Sequence, residues 1–308
     1  MKRLLLKIFL FFFLQVCIYL AVVSFPTMRY SFTNDTTESD LLAMPKGTSW
    51  DIILMGTSHA KIFSRNGNYD RVDQILSKRI FNLAKGGGHG GIFPEQLMLS
   101  RFYADGNHAD TVVYLVDPWV FYSRQWNEEN YFLEDEPFDI RLYFVALWNG
   151  VGRSVLINGF QTKLFHRWLL LEPASREPKT DKLLSVNDTQ IAQDKKDYYL
   201  NGLNQETFLH YTMLFKQLVT LAEENNSRVI LIFPTTLWQE TPGKNQVLTF
   251  FQELQKKHPS VEVHDFSHVI TDPQYYYDTN HLNSLGVEYF TRAYLLPLFH
   301  IEREKTSH

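Results

Sequence analysis

Three stretches hold residues whose types and spacing could do chemistry. "DIILMGTSHA", residues 51–60, is an apolar strand that ends in Gly56, Thr57, Ser58 and His59. Ser58 fits two roles at that point: a nucleophile, or the cap of a following helix, since serine is favoured there. "YYYDTNHLNSLG", residues 275–286, sets Asp278 three residues before His281. In a turn, that spacing lets a carboxylate hold one imidazole N–H, so that the other ring nitrogen can take a proton from a serine hydroxyl. Asp278 could equally cap the last helix and leave His281 exposed. "FNLAKGGGHGG", residues 81–91, opens a strand into a glycine loop whose backbone N–H groups, with His89, could line a pocket.

The other histidines have plainer readings. His108, His166, His210 and His258 fall in or beside helical patterns, and His300 and His308 lie near the C-terminus, all as surface residues. His264 and His268 flank the strand "VEVHDF", with Asp265 beside them. A single cysteine, Cys17, excludes an intrachain disulfide and a cysteine metal cluster. No His-Glu-X-X-His spacing occurs, so no metal and no cofactor is expected. A net charge of −4 without a basic run beyond the N-terminus gives nucleic acid no footprint.

Five apolar runs, "DIILMG", "IFN", "DTVVYLV", "RVILIF" and "VEVHDF", alternate with helical patterns. Helices are predicted over "NYDRVDQILSKR", over "PEQLMLSRFYADG", around Gln205–Glu224, from Asn245 to Lys257, and from Asn283 to just before Pro297. Strands of this kind are buried on both faces, so the fold class is α/β, with a mostly parallel five-stranded sheet in three α/β/α layers. In such sheets ligands bind beyond the carboxyl ends of the strands. Ser58, the glycine loop, Asp117 and Pro234 all follow strand ends. Residues 120–203 break the pattern with many aromatic side chains and read as an insertion packed over one end of the sheet.

At the N-terminus, Lys2, Arg3 and Lys7 precede an uncharged run from Ile8 to Phe25. Its length suits an uncleaved membrane anchor over residues 1–26 rather than a signal peptide, whose core would be shorter. The positive flank would stay in the cytoplasm, which makes the rest of the chain extracytoplasmic, in the periplasm or at the cell surface. Residues 27–48 read as a polar linker, 49–300 as the folded domain and 301–308 as a tail. Asn34, Asn187 and Asn225 stand in Asn-X-Ser/Thr triplets, which matter only in a eukaryotic secretory pathway.

Taken in order, these blocks resemble the SGNH (GDSL-like) hydrolase superfamily from about Asp51 to Phe299, in particular its membrane-anchored cell-envelope members. "ILMGTSHA" resembles the first block, with Ser58 as nucleophile. "FNLAKGGGHGG" resembles the second, with Asn82 leading to Gly87, or alternatively Gly88, as an oxyanion donor. "DTNHLNSLG" resembles the last, with Asp278 and His281 as triad members. The resemblance implies a flavodoxin-like SGNH fold and a serine esterase or acyltransferase acting on O-acyl groups, O-acetyl first among them, of a cell-envelope or secreted glycan or other O-acylated envelope polymer. A membrane O-acyltransferase is the partner class it suggests. Two positions depart: Thr57 stands where the family has Asp before the serine, and Asp117, in "VDPW", stands where it has an oxyanion-binding Asn. An ionised carboxylate repels an oxyanion, so Asp117 is assigned to positioning a loop or to substrate, together with Trp119. The departure supports an alternative, an inactive SGNH-fold subunit that binds glycan or scaffolds an acylation complex.

Overall fold

The computed structural model describes residues 2–29, 32–34, 36–86, 90–128, 131–165 and 178–299. Five strands form one sheet: β1 (Ser49–Gly56), β2 (Ile80–Asn82), β3 (His108–Leu115), β4 (Arg228–Phe233) and β5 (Val261–Asp265). All four neighbour pairs are parallel, in the order β2-β1-β3-β4-β5. This is the doubly wound, flavodoxin-like order, in which the connections leave in opposite directions from the gap between β1 and β3. Gly56 pairs with Leu115, and Leu115 with Ile232, so the carboxyl ends of the central strands lie level. Ser58 and Asp117 therefore face each other across the switch point.

The helices follow in chain order: α1 (Lys2–Arg29), α2 (Asp40–Ala43), α3 (Ser58–Lys61), α4 (Asn68–Leu76), α5 (Ile92–Ala104), α6 (Arg124–Asn127), α7 (Ile140–Trp148), α8 (Arg153–Phe165), α9 (Asp188–Tyr198), α10 (Gln205–Glu224), α11 (Lys244–Lys257) and α12 (Ser284–Phe290). Alternating strand residues feed two cores. Ile53, Met55, Val112, Tyr114, Leu231 and Phe233 pack on Leu99, Phe102, Phe215 and Phe251. Ile52, Leu54, Val113, Leu115, Ile230 and Ile232 pack with Phe63, Val72, Val287 and Phe290. Each buried side chain of this size stabilises the fold by about 1.5–3 kcal/mol. Three layers result.

Several expectations change. His108, placed in or beside a helical pattern, lies just after α5 as the first residue of β3, because the strand extends back to pair with Ser49. The last helix does not stop at Pro297; a wide turn over Thr291–Leu295 shifts its register, and residues 296–299 stay helical. Residues 27–48 were expected to be a free linker, yet Thr37, Ser39 and Asp40 are buried. The Glu136 carboxylate accepts hydrogen bonds from the Ser39 hydroxyl and the Asp40 and Leu41 backbone N–H groups. Lys85 joins Glu136 and Asp40, and Arg65 grips Glu38 with two hydrogen bonds. Charge pairing, which hydropathy does not reveal, binds this segment to the domain. Asn34 is buried too, paired through its amide with the Asn82 backbone, and so is closed to modification.

Among the described residues no helix is long and apolar enough to cross a membrane. The described side chains of α1 include Lys2, Arg3 and Lys7, and those of residues 22–29, which complete the apolar run, lie outside the described set. Residues Lys2–Arg29 thus form a helix, α1, but the membrane span expected over residues 1–26 is not found among the described residues.

Gly56 fixes where β1 must end. Its φ of +129° belongs to a region that L side chains rarely adopt, and an added Cβ would meet the Leu115 carbonyl oxygen at 2.4 Å. Gly56→Ala is expected to destabilise the protein by at least about 2 kcal/mol through backbone strain and overpacking. Urea unfolding measures this, and an unchanged midpoint would contradict the packing described.

Candidate active site

Ser58 is the first residue of α3, and Thr57 occupies the cap position without a capping hydrogen bond from its side chain. Of the two roles open to Ser58, the cap is excluded. Its hydroxyl instead lies 2.7 Å from His281 Nε2. The second strand supports the turn from below: Asn82 Nδ2 donates to the Ala60 carbonyl, and Asn82 Oδ1 accepts from the Ala84 N–H. At the far end of the glycine loop, Gly90 packs on Thr57 so closely that a Cβ there would sit 3.1 Å from Thr57 Cα.

His281 precedes α12, whose cap is Asn283, not Asp278. Asp278 is left to serve the histidine. Its Oδ2 and Oδ1 lie 2.9 and 3.1 Å from His281 Nδ1, and Oδ1 also accepts the backbone N–H groups of Asn280 and His281. Burial works against its ionised form, but the hydrogen bond and charge of His281, helped by those two N–H groups, hold the carboxyl below its ordinary range. A carboxylate on Nδ1 fixes the proton there and leaves Nε2 free to accept from Ser58. A hydroxyl, an imidazole and a carboxylate in this order can pass a proton from serine to histidine while the imidazolium is stabilised.

Asp117 follows β3 and is buried. Its Oδ2 accepts a short hydrogen bond from the Thr57 hydroxyl, and its Oδ1 lies 2.8 Å from His59 Nδ1 as an ion-pair contact. His59 Nε2 lies 2.8 Å from the Asn280 carbonyl, which can only accept, so Nε2 carries a proton. Burial disfavours the charged ring, but the charge and hydrogen bond of Asp117, the Asn280 carbonyl and the charge of Asp278 outweigh it and raise the His59 pKa. The His59 ring also stacks on His281, with centroids 4.8 Å apart and planes 21° from parallel.

A cleft of about 380 Å³ opens at Ser58 and His281, lined by Arg65, Lys85, Trp119, Trp126, Tyr198 and Tyr277. Trp119 stands at its wall, 5.0 Å from both the Trp126 and Tyr198 rings. Tyr277 stacks on His281 at 5.5 Å. Gly87, Gly88 and His89 lie outside the described residues, as do His166, His300 and His308. His264 pairs with Glu262 on β5. Among the described residues no group of His, Cys, Asp or Glu could hold a metal ion.

Composition and spacing did not single out His59, Arg65, Lys85, Trp126, Tyr198 or Tyr277. One signal was present for His59. Thr57 and Asp117, the two departures from the resembled pattern, touch each other, and His59 completes their contact.

No family model matches this chain, and no curated protein matches it. Among solved structures it is similar to a protein from Bacteroides fragilis described as a "putative acylhydrolase", at 12% identity over 91% of this chain and 97% of that one, with a TM-score of 0.43. So loose an overlap carries no argument.

The raised His59 pKa gives the pair a pH signature. Its contribution to stability is full below the unfolded imidazole value of about 6.5 and is lost as pH rises through the higher folded value. Asp117→Asn is expected to cost about 3–5 kcal/mol at pH 6, because it leaves a buried charge without its partner. The gap to wild type should narrow at pH 9.5. Urea unfolding at both values tests this, and a pH-independent gap would show that His59 is uncharged in the native protein.

Proposed function

We propose that this chain is an SGNH-type serine esterase or acyltransferase, anchored to a membrane by α1, with its domain outside the cytoplasm. The observation that carries the reading is the run of contacts from Ser58 Oγ to His281 Nε2 and from His281 Nδ1 to Asp278. His281 takes the Ser58 proton as the serine oxygen attacks an ester carbonyl. The imidazolium, held by Asp278, then returns that proton to the leaving alcohol. Water or a sugar hydroxyl resolves the acyl-enzyme by the same steps in reverse. The backbone N–H groups of Ser58 and of Gly87 or Gly88 are the proposed oxyanion donors, and Asp117 is not among them, since Thr57 and His59 engage its carboxylate.

The cleft supports the proposed substrate class. Trp119, Trp126, Tyr198 and Tyr277 offer ring faces suited to sugar or acyl-chain contact, and the choice of O-acetyl groups of an envelope glycan rests on the family resemblance. Support for the anchor comes from α1, where Leu4, Phe9, Phe13 and Ile18 are all at least half exposed and apolar side chains face outward all round the helix.

One observation favours a second reading, an inactive SGNH-fold subunit that binds glycan or scaffolds an acylation complex: a carboxylate stands where the resembled pattern has an oxyanion-binding Asn. Turnover separates the two. The purified protein is expected to hydrolyse an aryl acetate, and Ser58→Ala and His281→Ala are each expected to lower the rate roughly 10³-fold or more while the fold is kept. Equal background rates for wild type and both variants would support the inactive subunit.

A further inference from the structure

The insertion carries an apolar surface that the proposed chemistry does not use. On α7, Ile140, Phe144, Leu147 and Trp148 are 66, 65, 57 and 83% exposed. At about 100° per residue these positions share one stripe of the helix, while Leu142 and Ala146, on the opposite side, are buried. Ile157 and Phe160 on the neighbouring α8 add to the exposed surface. α8 is well seated on the domain: Lys163 Nζ donates to the Leu133 and Glu134 carbonyls, and Gly159 packs against Leu133. The exposure is therefore a property of a fixed surface rather than of a loose end.

This surface is continuous with α1. Tyr19 and Phe160 bring their ring centroids to 5.1 Å, so the exposed Val16 and Ile18 of α1 lie within one helical turn of the contact with the hairpin. Arg141 and Arg153, both exposed, flank the face. A protein partner seated on α7 would leave α1 uncovered, whereas a single lipid surface covers both. Trp148, the most exposed of the set, is of the residue type that settles at the boundary between acyl chains and headgroups.

We propose that the α7–α8 hairpin is a second membrane contact, lying in the plane of the bilayer beside α1 with its apolar stripe in the headgroup–acyl boundary and its arginines on anionic headgroups. It rests on the reading of α1 as a membrane anchor. The two contacts together fix the domain's tilt, which one helix alone would leave free to swivel.

The single native cysteine makes the test direct. In full-length protein carrying Cys17→Ser, a fluorophore sensitive to polarity is attached in turn at Leu10→Cys on α1, Phe144→Cys and Trp148→Cys on the hairpin, and Glu253→Cys on α11. Each is reconstituted into phosphatidylethanolamine–phosphatidylglycerol vesicles with and without quencher-bearing lipid. The proposal predicts blue-shifted emission and several-fold stronger lipid quenching at 10, 144 and 148 than at 253. Quenching at 10 with 144 and 148 no better quenched than 253 would overturn the hairpin contact and leave the anchor standing. Quenching at 144 and 148 alone would support the hairpin and overturn the anchor, and quenching at none would overturn both. Blue-shifted emission at 144 and 148 without lipid quenching would mean that protein covers the face, and would overturn the proposal.

Discussion

The candidate site depends on the buried carboxylate of Asp117. It joins three parts of the chain that are far apart in sequence: the turn that carries Ser58, through Thr57 and His59, the end of β3, and the loop that carries His281, through the His59 bond to the Asn280 carbonyl. A buried ion pair contributes little net stability compared with an apolar pair of the same shape, and its loss on one side is costly. What it supplies here is position. With His59 fixed, the ring of His281 has a flat partner at 4.8 Å and a serine hydroxyl at 2.7 Å.

The sheet makes that link possible. The switch point lies between β1 and β3, so the residues that follow those two strands meet in one crevice. Gly56 brings the chain close enough to Leu115 for the Thr57 hydroxyl to reach Asp117. Trp119 and the insertion's Trp126 and Tyr198 then close one wall, and the segment before β1 supports another through Glu38, Asp40 and their lysine and arginine partners.

Apolar periodicity made the five strands legible, because a parallel sheet needs runs such as "IILM" and "VVYL" to be apolar on both faces. The long helices α10 and α11 were legible for a related reason: their buried residues recur at helical spacing. Ser58, Asp278 and His281 were legible as types in order, and the distances among them were not. What the sequence hid is ionic and non-local. Lys85 and Glu136 are 51 residues apart, and His59 and Asp117 are 58 apart, so no window of residues displays them as pairs. The polar segment from Thr33 to Met44 reads as a tether because most of its contacts are charge pairs and hydrogen bonds, with apolar burial confined to its end at Leu41, Ala43 and Met44. A charged residue beside a presumed nucleophile, with a second charge where an amide was expected, is the pattern to search for in such chains.

The proposed chemistry requires Ser58 to be a nucleophile. Intact-mass measurement after treatment with a fluorophosphonate asks this without any knowledge of the substrate. One adduct per chain, mapped to the peptide containing Ser58 and absent from folded Ser58→Ala and His281→Ala variants, is the predicted result. A folded wild-type protein that takes no adduct, or an adduct that persists in Ser58→Ala, would contradict it.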